Sequence, residues 1–372
     1  MSIKDFKVEL WLNPLDPLCK YNLGASCVKA VSIDELMHLV GEDSEKLLSE
    51  FGEMRMHYGF FEGNPRLKRA IAGLYKDASE DMVSTHHGGT GANSAVLNAL
   101  VEKGDNVVAF IPNYQQHYSI PESIGAEVRY LRLREENGYL PDLDELDRLV
   151  DDNTKMITFT NPNNPTGAYM DEQYLRKIAE IAGKHNTYIL SDEIYRGLAD
   201  SYMPSIVDIY DKGISTASMS KVFSMAGTRV GWVVTRDENA RKLIGTMRSY
   251  ESICEAPIEE VLAAICLENH DIILRRSREI VGEGRAVLDE WLIEHPHFSS
   301  SNKSYSSTAL VRYDYDIDCV ELCQDIFDKT GVLLCHGDCF EEEKCFRLGY
   351  GFGDIATLKK GFEELDKYFE KI

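Results

Sequence analysis

The chain reads as an α/β protein, with a largely parallel sheet covered by helices and a smaller α+β domain beside it. Two observations predict this. Short apolar runs of strand length recur between residues 106 and 235 with helical patterns between them, and each run ends in Pro, Asn, Ser, Asp or Gly. At 372 residues the chain is also longer than the roughly 250 to 300 residues one hydrophobic core usually serves. We expect an N-terminal arm and part of the small domain in residues 1–40, a large domain in 41–270 and a small C-terminal domain in 271–372.

Residues 3–12 carry a short helical pattern, followed by Pro14, Pro17 and an extended piece from Tyr21 to Cys27. Ser32-Ile-Asp-Glu35 has the hydroxyl and carboxylate of a capping box. Residues 54–63 form a glycine-turned loop containing Tyr58, and a helix opens after Asn64 with Pro65 at its first position. From Ser84 the pattern is βαβ. Gly88-Gly-Thr-Gly91-Ala92-Asn93 opens into the apolar helix Ser94–Leu100, and a helix start offers unpaired N–H groups and a positive dipole end to an anion. Ser94 stands where a dinucleotide fingerprint needs its last glycine, and no G-K-[ST] follows. A single phosphate ester is therefore the expected anion.

Strands are expected at Asn106–Ile111, Lys155–Thr160, Thr187–Leu190, Gly213–Ala217 and Arg229–Thr235, with a helix at Glu172–His185. Sheets of this kind bind ligands beyond the carboxyl ends of their strands, which is where Tyr114, Asn164, Asp192, Tyr195 and Lys221 fall. At the end of a buried run, desolvation should lower the pKa of Lys221 and make its amine a nucleophile able to form a Schiff base. Helical stretches at Asp237–Asn269 and Ile272–Glu294, broken near Pro257 and Asn269, lead to the small domain. There, strands are expected at Thr308–Tyr313 and Cys345–Tyr350 and a last helix at Ile355–Glu370.

Forty basic against 62 acidic residues give a net charge of −22, which repels nucleic acid and anionic membrane surfaces. Neither is expected as a partner. An anionic ligand then needs a local positive pocket, for which Arg229 and Arg347 are the candidates. The N-terminus lacks a signal-peptide pattern, and no apolar run reaches the ~20 residues that span a bilayer. A cytoplasmic location is expected, without disulfides among the nine cysteines. Cys319, Cys323, Cys335, Cys339 and Cys345 crowd around His336, but their spacings are looser than paired C-x2-C ligands. No metal site is expected.

Four ordered motifs, Asn161-Pro-Asn-Asn164-Pro-Thr-Gly167, Ser191-Asp-Glu-Ile-Tyr195, Ser218-Met-Ser220-Lys221 and Arg229-Val-Gly-Trp232, resemble the class I/II aminotransferases. These are fold-type-I enzymes that use pyridoxal 5′-phosphate. The resemblance runs from about Tyr58 to Arg347. It implies a mostly parallel seven-stranded sheet, a homodimer with shared active sites, and ping-pong transfer of an amino group between an L-amino acid and a 2-oxo acid.

By the same resemblance, Lys221 would hold the cofactor aldehyde as an aldimine and carry a proton at the substrate Cα. Asp192 would face the pyridinium nitrogen, so that the ring draws electrons. Asn164 and Tyr195 would bond its hydroxyl oxygen, and Tyr114 would stack on its face. Gly91, Ala92, Asn93, Ser218, Ser220 and Arg229 would hold the phosphate, and Tyr58 would reach the partner's phosphate. Arg347, with Asn164, would grip the α-carboxylate of the substrate. The family's frequent L-x-x-G-x-P-x-F stretch corresponds here to Leu23-Gly-Ala-Ser26-Cys-Val-Lys29. Ser26 thus stands where a glycine usually admits the substrate. That departure keeps elimination, replacement or cyclisation open as alternative chemistry.

Overall fold

The computed structural model describes residues 3–300 and 303–371. Met1, Ser2, Ser301, Asn302 and Ile372, which belong to the expected arm and small domain, lie outside the described residues. The large sheet has seven strands, in the spatial order Val83–His87, Val230–Thr235, Gly213–Ser218, Tyr188–Asp192, Thr154–Thr160, Asn106–Ile111 and Glu127–Arg132. Val230–Thr235 is antiparallel to both its neighbours, and the other four pairings are parallel.

Burial on both faces explains the continuous apolar runs. Successive residues alternate between two cores. Val107, Met156, Leu190 and Val233 pack under the helices Gly88–Leu100 and Glu238–Glu251, while Val108, Ile157, Ile189 and Val234 pack against Glu172–Lys184 and Pro257–Glu268 on the opposite face. The edge strand Glu127–Arg132 is an addition to the sequence expectation. It buries only Leu131, and its charges hide the strand pattern while guarding an open edge against pairing.

The second sheet orders Cys335–His336, Cys345–Gly349, Thr308–Tyr313 and Phe298–Ser300, all antiparallel. Trp291, near the end of the His270–Glu294 helix, anchors its core with ring centroids 4.7 Å from Phe298 and 5.4 Å from Phe362. From the arm, Tyr21–Asn22 adds a short parallel pairing with Val332–Leu333.

Several element starts differ from expectation for identifiable reasons. The first helix is Lys7–Leu15 and contains Pro14, which lacks the N–H for the Leu10 carbonyl and stands one residue before the helix ends. The glycine-rich helix begins at Gly88, six residues before Ser94. Its glycines are poor helix formers, but a Cβ on Gly231 would lie 2.3 Å from the Gly88 carbonyl carbon, so close packing of sheet on helix start dictates the conformation. The strands ending at Asp192 and Ser218 run one or two residues further than expected, which puts both residues at strand ends. Ser32 and Glu35 make both bonds of the capping box. No helix among the described residues is long and apolar enough to cross a membrane.

Candidate active site

The carboxyl ends of these strands open into a cavity of about 380 Å³. It is lined by Ser26, Asn93, Tyr114, Asn164, Asp192, Tyr195, Ser220, Lys221, Arg229 and Arg347 from the expected set. Register explains the convergence: Thr160 pairs with Asp192, and Asp192 with Thr216, across three adjacent parallel strands.

Asp192 is 4% exposed. Its Oδ2 accepts a 2.8 Å bond from Asn93 Nδ2, and its Oδ1 accepts from the Ile194 N–H at 3.2 Å. His117 Nε2 lies 3.7 Å from Oδ2, while the other ring nitrogen is paired with Thr158 Oγ1. His117 is fully buried and was not singled out from sequence; its position just beyond a strand end was the available signal. Asn93 also accepts from Thr216 Oγ1 at 2.6 Å, so both ends of its side-chain amide are engaged.

Lys221 Nζ donates to Ser26 Oγ at 2.8 Å and lies 3.5 Å from Cys27 Sγ. Burial is the largest influence on its pKa and pulls it down, as expected. Cys27 and Tyr195 push the other way, and the net direction is upward. The expectation of a depressed lysine is therefore corrected: the amine has polar neighbours where an apolar surround was inferred. Ser26 is itself fixed, since its carbonyl accepts from Ser307 Oγ at 2.6 Å.

Arg347 is 2% exposed. It donates to Asn164 Oδ1 at 3.1 Å and to the Gly24 carbonyl at 2.6 Å, and packs 5.2 Å from the Phe340 ring centroid. The nearby Glu342 is bound instead by Arg132 and Arg312. Among the described residues, Arg347 Nε and Tyr195 Oη are two of eleven buried side-chain atoms without a hydrogen-bond partner. Both residues line the cavity, where a ligand could satisfy them. Tyr114 bonds Glu9 at 3.5 Å, and burial pushes its phenol up.

The anion-binding end is built from the Gly88 helix start. Gly88 has φ of +68, and a Cβ there would lie 2.5 Å from Arg229 Nη2; glycine is required to bring that guanidinium onto the helix N-terminus. Gly89 and Thr90 line the cavity. Gly91 and Ala92 do not: the Cα of Gly91 faces His87, and Ala92 is buried in the core under the sheet. Because the helix begins earlier than expected, it is its first turn, Gly89 and Thr90, that borders the cavity. Ser218 lies behind the wall, its Oγ accepting from the Ser220 N–H at 3.2 Å. Tyr58 is outside the cavity and 72% exposed. Wall residues that sequence reasoning missed are Val8, Glu9, Leu12, Asn13 and Asp16, all from the first helix and its cap. Among the described residues, no cluster of His, Cys, Asp and Glu is arranged to hold a metal, and all nine cysteines are free.

A fold-type-I sheet with a lysine, an aspartate and an arginine at its strand ends defines a class of enzyme. The family model for aminotransferase class I and II matches residues 37–365, and the chain belongs to that family. A crystal structure of a PLP-dependent aminotransferase from Streptococcus suis superposes with a TM-score of 0.97 at 37% identity, covering 100% of this chain and 99% of the other. Aspartate aminotransferase of Thermotoga maritima is 30% identical over 83% of this chain and 80% of its own length. Capreomycidine synthase of Streptomyces vinaceus is 27% identical over 92% and 88%.

Proposed function

We propose that this chain is a pyridoxal 5′-phosphate-dependent aminotransferase, moving an amino group between an L-amino acid and a 2-oxo acid in two ping-pong half-reactions. The observation that carries this reading is the meeting of a partly buried amine, a buried carboxylate and a buried guanidinium with a free N–H in one cavity. The residues fit the cofactor. Tyr195 Oη and Asn164 stand ready for a ring hydroxyl, Tyr114 forms a flat wall, and the Gly88 helix start with Ser220 and Arg229 suits a phosphate.

When bound, the cofactor supplies an aldehyde for an amine to condense with and a ring that takes up electrons from the substrate Cα. Asp192 keeps a negative charge at the cavity floor and so favours a protonated ring nitrogen; Asn93 and His117 hold it there. Lys221 removes the proton from the substrate Cα and returns it, with Ser26 orienting the amine between transfers. Arg347 holds the α-carboxylate, which fixes Cα beneath Lys221.

The same reading makes the protein a homodimer with shared active sites. Met56, Tyr58, Phe60 and Phe61 form an exposed apolar stretch that a second copy would cover, bringing Tyr58 to the partner's phosphate site. It also keeps the division into arm (1–40), large domain (41–270) and small domain (271–372): residues from Val281 to Phe369 share a core with Leu23 and Val28 of the arm, while Ile273, Leu274, Leu310 and Cys345 pack into the core of the large sheet.

A second reading is elimination, replacement or cyclisation on the same cofactor. Ser26 favours it, because it sets a hydroxyl at the lysine amine where a glycine would set none; similarity to a relative named as a synthase agrees. Incubating holoenzyme with single L-amino acids and 2-oxoglutarate separates the two. Equal amounts of glutamate and a new 2-oxo acid are expected. Consumption of the amino acid without glutamate formation would overturn transamination in favour of the second reading.

A further inference from the structure

The cavity is electrically lopsided. Its inner end holds all three cations that line it, Lys221, Arg229 and Arg347, while the first helix contributes only carboxylates, Glu9 and Asp16. These are seven residues apart, two helical turns, and so share a face. Asp16 is the C-cap and sits at the negative pole of a helix whose last turn has no basic residue. Val8 and Leu12 give the same wall an apolar surface.

Among the described residues, neither carboxylate is in an ion pair. Glu9 accepts the 3.5 Å bond from Tyr114 and Asp16 takes the Asn22 amide. Lys4 is engaged with Glu122 and Lys7 with Asp338 and Glu341. The inner end, by contrast, offers a donor to an anion: Arg347 Nε is buried and without a hydrogen-bond partner beside the same cavity. A ligand with its carboxylate on Arg347 therefore extends its other end toward the first helix.

Resting on the reading of the site given above, we propose that the amino-acid substrate has a cationic side-chain terminus, an amine or guanidinium on an aliphatic stem, recognised by Glu9 and Asp16. An acidic terminus would meet two carboxylates of its own sign. An apolar one would cover them without pairing them, which is costly. The cationic terminus alone satisfies them, while Val8 and Leu12 cover its stem.

Calorimetric titration of the holoenzyme with 6-guanidinohexanoate, hexanoate and adipate tests this. All three offer Arg347 a carboxylate on a six-carbon chain, and with no primary amine none can condense with the cofactor aldehyde. The guanidinium analogue should bind tightest, roughly ten-fold better than hexanoate, with adipate weakest. The double variant E9Q/D16N should abolish that preference, and E9K should reorder the series in favour of adipate, a gain that a misfolded protein cannot produce. Equal binding of the three ligands, or tighter binding of adipate, by the unaltered protein overturns the substrate class. Borohydride fixation of pyridoxal phosphate on the same preparation separates the two levels. If fixation succeeds without a cationic preference, only this inference fails; if Lys221 takes up no cofactor, the reading of the site fails with it.

Discussion

The two ends of the cavity are built on different principles. At the inner end Asp192 and Lys221 stand at or just beyond strand ends of a sheet buried on both faces, Arg347 enters from the middle of the strand Cys345–Gly349 in the second sheet, and each is held by a second residue: Asp192 by Asn93, Lys221 by Ser26, Arg347 by Asn164. At the mouth, Glu9, Asn13 and Asp16 ride on a nine-residue helix that the sheet does not hold, and Asn13 and Asp16 are exposed. Sheet register fixes the groups that every substrate needs. The groups that meet the variable part of a substrate sit on a segment whose sequence can change without disturbing the core.

Substitutions should separate the ends by size of effect. Among the described residues Lys221 is the only lysine that lines the cavity, and in Lys221→Ala amino transfer should fall by about 10³-fold or more. Steady-state rates that retained a tenth of the original would break the assignment of chemistry to the inner end. Stability should divide the same way. Glu193, next to Asp192, is buried and bound to Arg196 at 3.1 Å and to Ser205 and Ser215 at 2.9 and 2.8 Å. Glu193→Leu removes the buried carboxylate that Arg196, Ser205 and Ser215 share and should cost about 3–5 kcal/mol in urea unfolding, whereas Asn13→Ala at the mouth should stay within about 0.5 kcal/mol. Similar costs for both would erase the contrast.

Asp192→Asn keeps the shape of the floor but removes its charge. A fall of about 10²–10³-fold in kcat is expected, with KM changed far less; a loss confined to KM would make Asp192 a binding group only. The smallest effect is at the lysine itself. Cys27 helps raise the Lys221 pKa, so Cys27→Ala should lower it. More of the amine is then neutral at a given pH, and the pH profile for condensation of the apoenzyme with pyridoxal phosphate should move to lower pH. A shift upward would contradict the role given to the thiol.

The inner end was legible because a buried strand announces itself by an uninterrupted apolar run, and the residue that ends the run is placed by that fact alone. Asp192, Lys221 and Tyr114 were located this way. The edge strand Glu127–Arg132 was not, since half its residues are charged and only Leu131 is buried. The start of the helix at Gly88 was hidden because four residues of low helix propensity adopt that form only when Gly231 and Arg229 press against them. The mouth was illegible for a related reason. Which face of a short amphipathic helix turns inward depends on what it docks against, here Trp11 Nε1 donating to the Leu334 carbonyl at 2.7 Å and its ring meeting His336 at 4.6 Å. Those contacts span more than 300 residues of sequence. The sign of the Lys221 shift also depended on contacts nearly two hundred residues apart in the chain, with Ser26 and Cys27.

The most direct test of the central claim is to saturate the protein with pyridoxal 5′-phosphate, reduce it with borohydride and map the modified peptide by mass spectrometry. One stable adduct per chain on Lys221, absent from Lys221→Ala, is the expected result. Adducts scattered over surface lysines with Lys221 unmodified would contradict it.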